Sequence, residues 1–344
     1  MTPEEITSEW LSGVLGADVT IIGDRRIGDG LVGMNVRYEL AVPAGSGIPS
    51  SIIAKLPSPD PTSRATGIAL RNYEREVKFY EHIAPTVDIR VARCFHGYWQ
   101  ETDGDFVLLL EDLSPAEQGN QITGCSAELA GRSVLELARL HGPRWADPAL
   151  AEIEFLQRRG ADDAERLQML WGMFLPGFFA TYAKYLDAEG VALIERFGAL
   201  LPAWVEAHTL PDTVTHGDYR LDNLMFGSAA GGYPVATVDW QTPGHGSASG
   251  DVSYFLGAGP LPEVRREIER GLVDEYCLAL ADYGVQVDGN EVWQQVCLDA
   301  YAGIIMSVVA SQIVGGSDRS EAMFAAMATR HTQHALDVGA EALI

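Results

Sequence analysis

The sequence predicts an α+β protein of two lobes, an antiparallel sheet with one helix followed by a larger, mostly helical lobe. Three observations carry this expectation. Two-residue alternation and short apolar runs dominate the first 110 residues. An acidic, proline-containing stretch, EDLSPAEQG, then interrupts the pattern. Beyond it, apolar residues recur at helical spacing, with short strands only near 213–240. The expected division is a lobe over 1–110, a hinge at about 110–118 and a second lobe over 111–344.

Residues 3–15 place Ile6, Trp10, Leu11 and Leu15 near helical spacing and predict a short amphipathic helix. An apolar run at 19–22, a glycine cluster, and alternation through Val36, Tyr38 and Leu40 predict two strands. After the turn-rich PAGSGIPS comes a third, apolar strand at 51–56. Residues 69–83 read as helix, and 92–99 and 106–111 as two further strands. In the second lobe, 224–226 and 234–238 form a hairpin around the turn GSAAGG. The most apolar segment, 169–186, is broken by Pro176, Thr181 and Lys184. A buried or groove-lining helix pair suits it better than a membrane span.

The 344 residues carry 24 basic and 48 acidic side chains, a net charge of −24. Residues 1–110 contribute 10 basic against 15 acidic, and residues 111–344 contribute 14 against 33. Such a surface has the wrong sign to displace counterions from nucleic acid. The four cysteines are far apart and form no CxxC pair, which predicts free thiols. The start, MTPEEITSEW, is acidic and lacks the apolar core of a signal peptide. A cytoplasmic protein is expected, without membrane association and with no obligate protein partner inferred.

Four features carry chemistry. Gly28-Asp29-Gly30-Leu31-Val32-Gly33 is a GxGxxG motif. In a dinucleotide fold it would open a helix; in a kinase-type fold it joins two strands over the phosphates of ATP. The alternating Met34-Asn35-Val36-Arg37-Tyr38 that follows favours the second. Lys55, one of three lysines, lies in an apolar strand, where an unpaired ammonium is costly. A partner on the next helix resolves that cost, and Glu76, beside the inward Val77 and Tyr80, is favoured over Glu74.

The third feature is His216-Gly217-Asp218-Tyr219-Arg220-Leu221-Asp222-Asn223, an HxDxxxxN spacing. Phosphoryl transfer to a hydroxyl needs a carboxylate to orient the nucleophile and accept its proton, and oxygen ligands for magnesium nearby. The fourth is Asp239, at the end of the apolar strand PVATV, positioned as a second metal ligand. Arg220 either neutralises the transferred phosphoryl group or holds a surface carboxylate. Asp251 reads as a helix N-cap or a brace for the catalytic loop. His331 and His334 read as a solvated helix face, and His141 as a helix end. The aromatic stripe Trp171, Phe174, Phe178, Phe179, Tyr182, Tyr185 is core, or else an apolar wall for a bulky acceptor.

In this order the glycine loop, Lys55, Glu76, LLLEDL (108–113), HGDYRLDN and VDWQ…GDVSYFL resemble the aminoglycoside phosphotransferase/choline kinase superfamily, over about 27–256. The VDWQ and DVSYFL pieces look most like its ecdysteroid-kinase-like branch. The resemblance implies a two-lobed protein-kinase-like fold with ATP and Mg²⁺ in the cleft and a small-molecule hydroxyl acceptor. By position it implies Asp218 as catalytic base and Asn223 and Asp239 as Mg²⁺ ligands. It also implies Lys55, paired with Glu76, on the α/β-phosphates, and Gly28, Gly30 and Gly33 over the phosphates. Backbone of the 110–113 hinge, with Glu111 and Leu113, would meet adenine. Trp240-Gln241 stands where protein kinases carry Phe-Gly, and no segment ends in Ala-Pro-Glu, which argues against a protein substrate. The acceptor stays open among aminoglycoside, amino alcohol, sugar and steroid-like alcohol. The alternative is a nucleotide-binding pseudokinase without phosphotransfer.

Overall fold

The computed structural model describes residues 1–28, 32–158, 161–314 and 316–344, so that Gly30 of the glycine motif lies outside them. Thr7 caps helix α1 (Ser8–Leu15) by accepting the Trp10 N–H at 3.1 Å. The helix expected over 3–15 is therefore split, with a separate 3₁₀ turn at Pro3–Glu5. Strands β1 (Thr20–Ile27), β2 (Gly33–Ala41), β3 (Ser51–Pro57), β4 (Cys94–Trp99) and β5 (Phe106–Glu111) form one antiparallel sheet, ordered β1-β2-β3-β5-β4.

Strand parity decides the faces of this sheet. Ile52, Ala54 and Leu56 point into a core shared with Leu11 of α1 and with Val36, Val107 and Leu109. Lys55, one residue out of phase in the middle strand, faces the other way, and its neighbours in register are Asn35 and Leu108. That second face is covered by helix α3 (Asn72–Lys78), whose Tyr73 and Val77 pack with Phe106, Leu108 and Leu110.

The helix expected over 69–83 is shorter than expected, because the chain passes from α3 into a wider turn at Phe79–Ile83. An unforeseen helix, α2 (Pro61–Ala69), precedes it, and Arg71 at φ 57° separates the two. Its start signal was present in the sequence: Asp60 accepts the Ser63 N–H at 2.8 Å, and Pro61 occupies the first turn.

The second lobe holds strands β6 (Glu117–Gln118), β7 (Gln157–Arg158), β8 (Asp212–Thr215), β9 (Leu224–Ser228), β10 (Gly231–Thr237) and β11 (Gly244–Ser247). They form two small sheets, β10-β9-β6 and β7-β11-β8. The helices are α4 (Ala127–His141), α5 (Ala161–Tyr182), α6 (Ala188–Glu206), α7 (Ser249–Ala258), α8 (Pro262–Leu280), α9 (Gly289–Leu298), α10 (Ala300–Ile313) and α11 (Asp318–Asp337). Strand-rich first lobe and helical second lobe match the predicted fold class.

Three expectations are corrected here. Segment 169–186 is not a helix pair, because α5 runs unbroken through Pro176. An interior proline costs about 3 kcal/mol. Burial of Trp171, Phe178 and Tyr182 in a core shared with α6, α10 and α11 outweighs it, at about 1.5–3 kcal/mol per large apolar side chain. The second concerns the most apolar segment. Among the described residues, the helical stretch long and apolar enough to cross a membrane is not 169–186 but Gly289–Ile313, and 72% of its 18-residue apolar window is buried within the protein.

The third correction concerns His331 and His334, which are fully buried rather than solvated. The His331 ring occupies space left by Gly257 and Gly303, where an added Cβ would approach it to 2.4 and 2.1 Å. It stacks on Tyr254 with centroids 5.2 Å apart. Burial holds this imidazole well below its usual pKa, with the charges of His334, Arg330 and Arg265 adding to the effect. The unfolded chain takes up a proton near pH 6.5 and the folded protein does not, so stability falls as pH drops through that value. The expected loss is about 1.4 kcal/mol per pH unit for one proton. Urea unfolding at pH 7.5 and 5.5 measures it, and His331→Phe should flatten the slope. A parent protein equally stable at both pH values contradicts the reading.

Candidate active site

The loop expected to be catalytic leaves β8 at His216 and ends in a 3₁₀ turn at Leu221–Asn223 that feeds β9. Gly217 turns it at φ 79°, where an added Cβ would lie 2.4 Å from the Thr242 carbonyl oxygen. Only glycine passes that point without displacing backbone. Asp251, in the first turn of α7, accepts the His216 N–H at 2.7 Å and the Gly217 N–H at 3.0 Å. The brace reading of Asp251 therefore describes its contacts, and Ala248, not Asp251, is the N-cap. His141 does end α4, but it is buried, 2.7 Å from the Tyr276 hydroxyl and 3.4 Å from Asp251.

The hairpin then brings the two ends of the constellation together. Thr237 of β10 pairs with Leu224 of β9, and the Val238 N–H donates to the Asn223 carbonyl at 2.9 Å. Register alone thus puts Asp239 beside Asn223, although 16 residues separate them. Asp239 sits at φ 67°, a region that aspartate tolerates better than most residues.

Lys55 is the centre of the charge network. Its Nζ lies 2.7 Å from the Glu76 carboxylate and 2.7 Å from Asp239 Oδ1. Lys55 and Glu76 are 6% and 1% exposed, so neither charge is solvated. Burial pushes the Glu76 carboxyl up against the pull of Lys55. Burial also opposes ionisation of Asp239, but Lys55 overrides it and holds that carboxyl below its ordinary range. The Trp240 N–H donates to Glu76 at 3.2 Å, and the Trp240 ring stacks on Phe79 with centroids 3.8 Å apart. Trp240 thereby clamps the segment after Asp239 against the first lobe.

Asp218 receives four kinds of contact. Asn223 Nδ2 donates to its Oδ2 at 2.9 Å, the Tyr254 hydroxyl to its Oδ1 at 2.8 Å, and Arg220 Nε lies 3.1 and 3.2 Å from its oxygens. The His216 ring, whose Nε2 meets the Val238 carbonyl at 3.1 Å, takes the Asp218 N–H on Nδ1 at 3.2 Å. Arg220 also reaches Asp222 at 2.8 Å. Its partners are thus carboxylates of the loop itself, not a surface carboxylate. Asp222 further accepts from Arg319 and from the Gln121 N–H.

Gly28 stands at φ 68° after β1, and Gly33 opens β2 against the Leu56 carbonyl. The residues expected to form the hinge begin at the end of β5. Glu111 is committed through its carboxylate to Arg90 at 2.6 Å and to the Arg93 N–H at 3.0 Å. The Leu113 carbonyl takes the Ala116 N–H at 2.9 Å, while among the described residues no acceptor meets the Leu113 N–H. Gly28, Gly33, Lys55, Glu76, Glu111, Leu113, Asp218, Arg220, Asn223 and Asp239 all line one cleft of about 700 Å³.

A magnesium ion fits the donor set. The Asn223 amide is anchored through Nδ2, which leaves its Oδ1 as the oxygen for a metal, and Asp239 spends Oδ1 on Lys55, which leaves Oδ2. Mg²⁺ takes oxygen ligands and commonly keeps one or two from protein, the rest from phosphates and water.

Sequence reasoning missed Tyr254, Asp222, Gln121 and Arg319. Asp222 was quoted within the motif but given no role, and the others sit 30 to 100 residues away in chain. The wall of the cleft beyond Asp218 was also missed. It comes from α10 and α11, and none of the aromatic stripe of α5 lines it.

No curated protein sequence matches the chain. Solved structures with the same fold include a choline kinase from Cryptosporidium parvum, at TM-score 0.57 and 8% identity over 94% of this chain and 91% of that one. The GDP complex of aminoglycoside 2'-phosphotransferase-IIIa aligns at TM-score 0.56 and 13% identity, over 95% and 97%. An ethanolamine kinase from Plasmodium vivax aligns at TM-score 0.54 and 9% identity, over 89% and 80%. A family model described as "Phosphotransferase enzyme family" matches residues 52–284, about two thirds of the length. The chain therefore belongs to the phosphotransferase enzyme family.

Proposed function

We propose that the protein is an ATP- and Mg²⁺-dependent kinase that moves the γ-phosphoryl group to a hydroxyl of a small molecule. One observation carries the reading: Lys55, Glu76 and Asp239 meet within hydrogen-bond distance in the same cleft that holds Asp218 and Asn223. Asp218 orients the acceptor hydroxyl and takes its proton as the new oxygen–phosphorus bond forms. The bond from the γ-phosphorus to the bridging oxygen breaks, and ADP leaves. Lys55 neutralises the α/β-phosphates, the glycine loop covers them, and the hinge receives the base through Leu113. Asn223 and Asp239 would hold Mg²⁺, which would neutralise charge on the phosphates. The clamp formed by Trp240 keeps Glu76 on Lys55 without an activation segment.

The test is an ATP-consumption screen over alcohols, sugars, amino alcohols and aminoglycosides, read as ADP release. Failure of every acceptor, together with no stabilisation by Mg–ATP, overturns the reading. Dependence on the metal gives a second expectation. Asp218, Asp222, Asp239 and Glu76 all line the cleft, so free ATP meets carboxylates that Mg²⁺ would screen. EDTA should weaken ATP binding more than about tenfold, or 1.4 kcal/mol. Equal affinities by calorimetry with and without EDTA contradict this.

A further inference from the structure

The kinase reading says nothing about the body of the acceptor, and the far end of the cleft does. Beyond Asp218 its apolar lining comes from Met306, Val309, Ala310, Ile313 and Val314 of α10 and its flank and from Met323 of α11, with Ser317, Arg319 and Ser320 at the start of α11 as the polar part of the same wall. Helix α11 is drawn over the catalytic loop by two contacts, Met323 Sδ to Arg220 Nη1 at 3.1 Å and Arg319 to Asp222 at 3.1 Å. Among the described residues, the charged groups at this end are two carboxylates, Asp218 and Asp222, and two guanidiniums, Arg220 and Arg319. They compensate one another: Arg220 serves both carboxylates, and Arg319 takes both oxygens of Asp222.

A cationic acceptor entering this chamber would lose hydration, which costs several kcal/mol unless a partner replaces it. The alternatives are a surplus carboxylate or an aromatic face. Among the described residues no aromatic side chain lines the cleft, and Arg319, with 41% of its side chain exposed, presents the same sign as the incoming charge. An uncharged apolar body gains instead about 25 cal/mol for each Å² it buries on the α10–α11 wall.

We infer that the acceptor is an alcohol on an uncharged, apolar framework, and that Arg319, by completing the neutralisation of Asp222, bars cationic acceptors. The inference rests on the kinase reading, and the test keeps the two apart. Nile red, an uncharged apolar dye, is bound to the full-length protein in the presence of Mg–ATP. It is then displaced by cyclohexanemethanol or by its 4-aminomethyl derivative, which is the same ring bearing an ammonium.

The uncharged alcohol is expected to displace the dye at a concentration at least tenfold lower. Arg319→Glu should shrink that gap at least fivefold, and Arg319→Gln by less. An acidic residue suits the first turn of α11, so the Glu variant is expected to fold; its melting curve checks this. Ile313→Asp, at an exposed position of the same wall, should weaken dye binding without touching the charged cluster. Absence of dye binding, equal displacement by both compounds, or preference for the ammonium compound overturns the inference. Stabilisation by Mg–ATP in the same samples reports separately on the kinase reading.

Discussion

Asp218→Asn is expected to lower phosphoryl transfer by about 10³-fold, within the range for removing a positioned general base, while Mg–ATP still raises the melting temperature. The geometry separates the two effects. Asp218 is held by Asn223, Tyr254 and Arg220, whereas the contacts attributed to nucleotide come from Lys55, the glycine loop and the hinge. An asparagine keeps the size of the side chain and one acceptor oxygen, so the loop should keep its path. It cannot take the proton of an acceptor hydroxyl. ADP release under saturating ATP, with the best acceptor from the screen, measures the first effect, and a thermal melt measures the second. Undiminished transfer would remove Asp218 from the role of base, and loss of both readouts would make it a structural residue.

Lys55→Met should have the largest effect on stability. It takes a partner from Asp239 and leaves Glu76, 1% exposed, with a buried charge and, among the described residues, the Trp240 N–H as its remaining donor. Breaking a buried pair by removing one partner costs about 3–5 kcal/mol, because the survivor stays desolvated. Replacing both partners with apolar residues is often close to neutral. Lys55→Met with Glu76→Met should therefore regain more than half of the lost stability, yet still fail to bind Mg–ATP. Urea unfolding of the parent, single and double variants resolves the first point, and calorimetry with Mg–ATP the second. A single variant as stable as the parent would show that the pair is not charged as described. A double variant that binds nucleotide would remove Lys55 from the phosphate site.

The local geometry of the candidate site was readable from spacing because it lies on short stretches whose path the backbone dictates. HGDYRLDN is one loop, and a hairpin of fixed period carries Asp239 back to Asn223, so their meeting follows from strand register. The partnership of Lys55 and Glu76 was legible for an energetic reason: a lysine out of phase in an apolar strand needs a buried carboxylate. Residue 76 was the one that helical phase brought to the inward stripe. The helix at 61–69 was missed although Asp60 and Pro61 announce a start, because its faces carry little apolar periodicity.

Burial on α11 was misread for a different reason. Arg330, Thr332 and Gln333 flank the two histidines and make that turn look solvated, while the glycines that admit the His331 ring lie on α7 and α10. The same separation hid Tyr254, Gln121 and Arg319, which reach the catalytic loop from distant segments. It also hid the far wall of the cleft: a stripe of aromatic residues on α5 drew attention, yet it fills a core, and α10 and α11 face the cleft instead.

By itself, then, the sequence determined the two-lobed fold class, the order of the motifs, and the pairings that a single loop, hairpin or strand phase enforces. Tertiary structure decided which helices wall the cleft, which histidines are dry, and how the acidity of the second lobe is spent. The physical reason is range. Backbone periodicity fixes neighbours within a few residues, whereas compensation of Asp222 by Arg319, 97 positions away, exists only once the helices have packed.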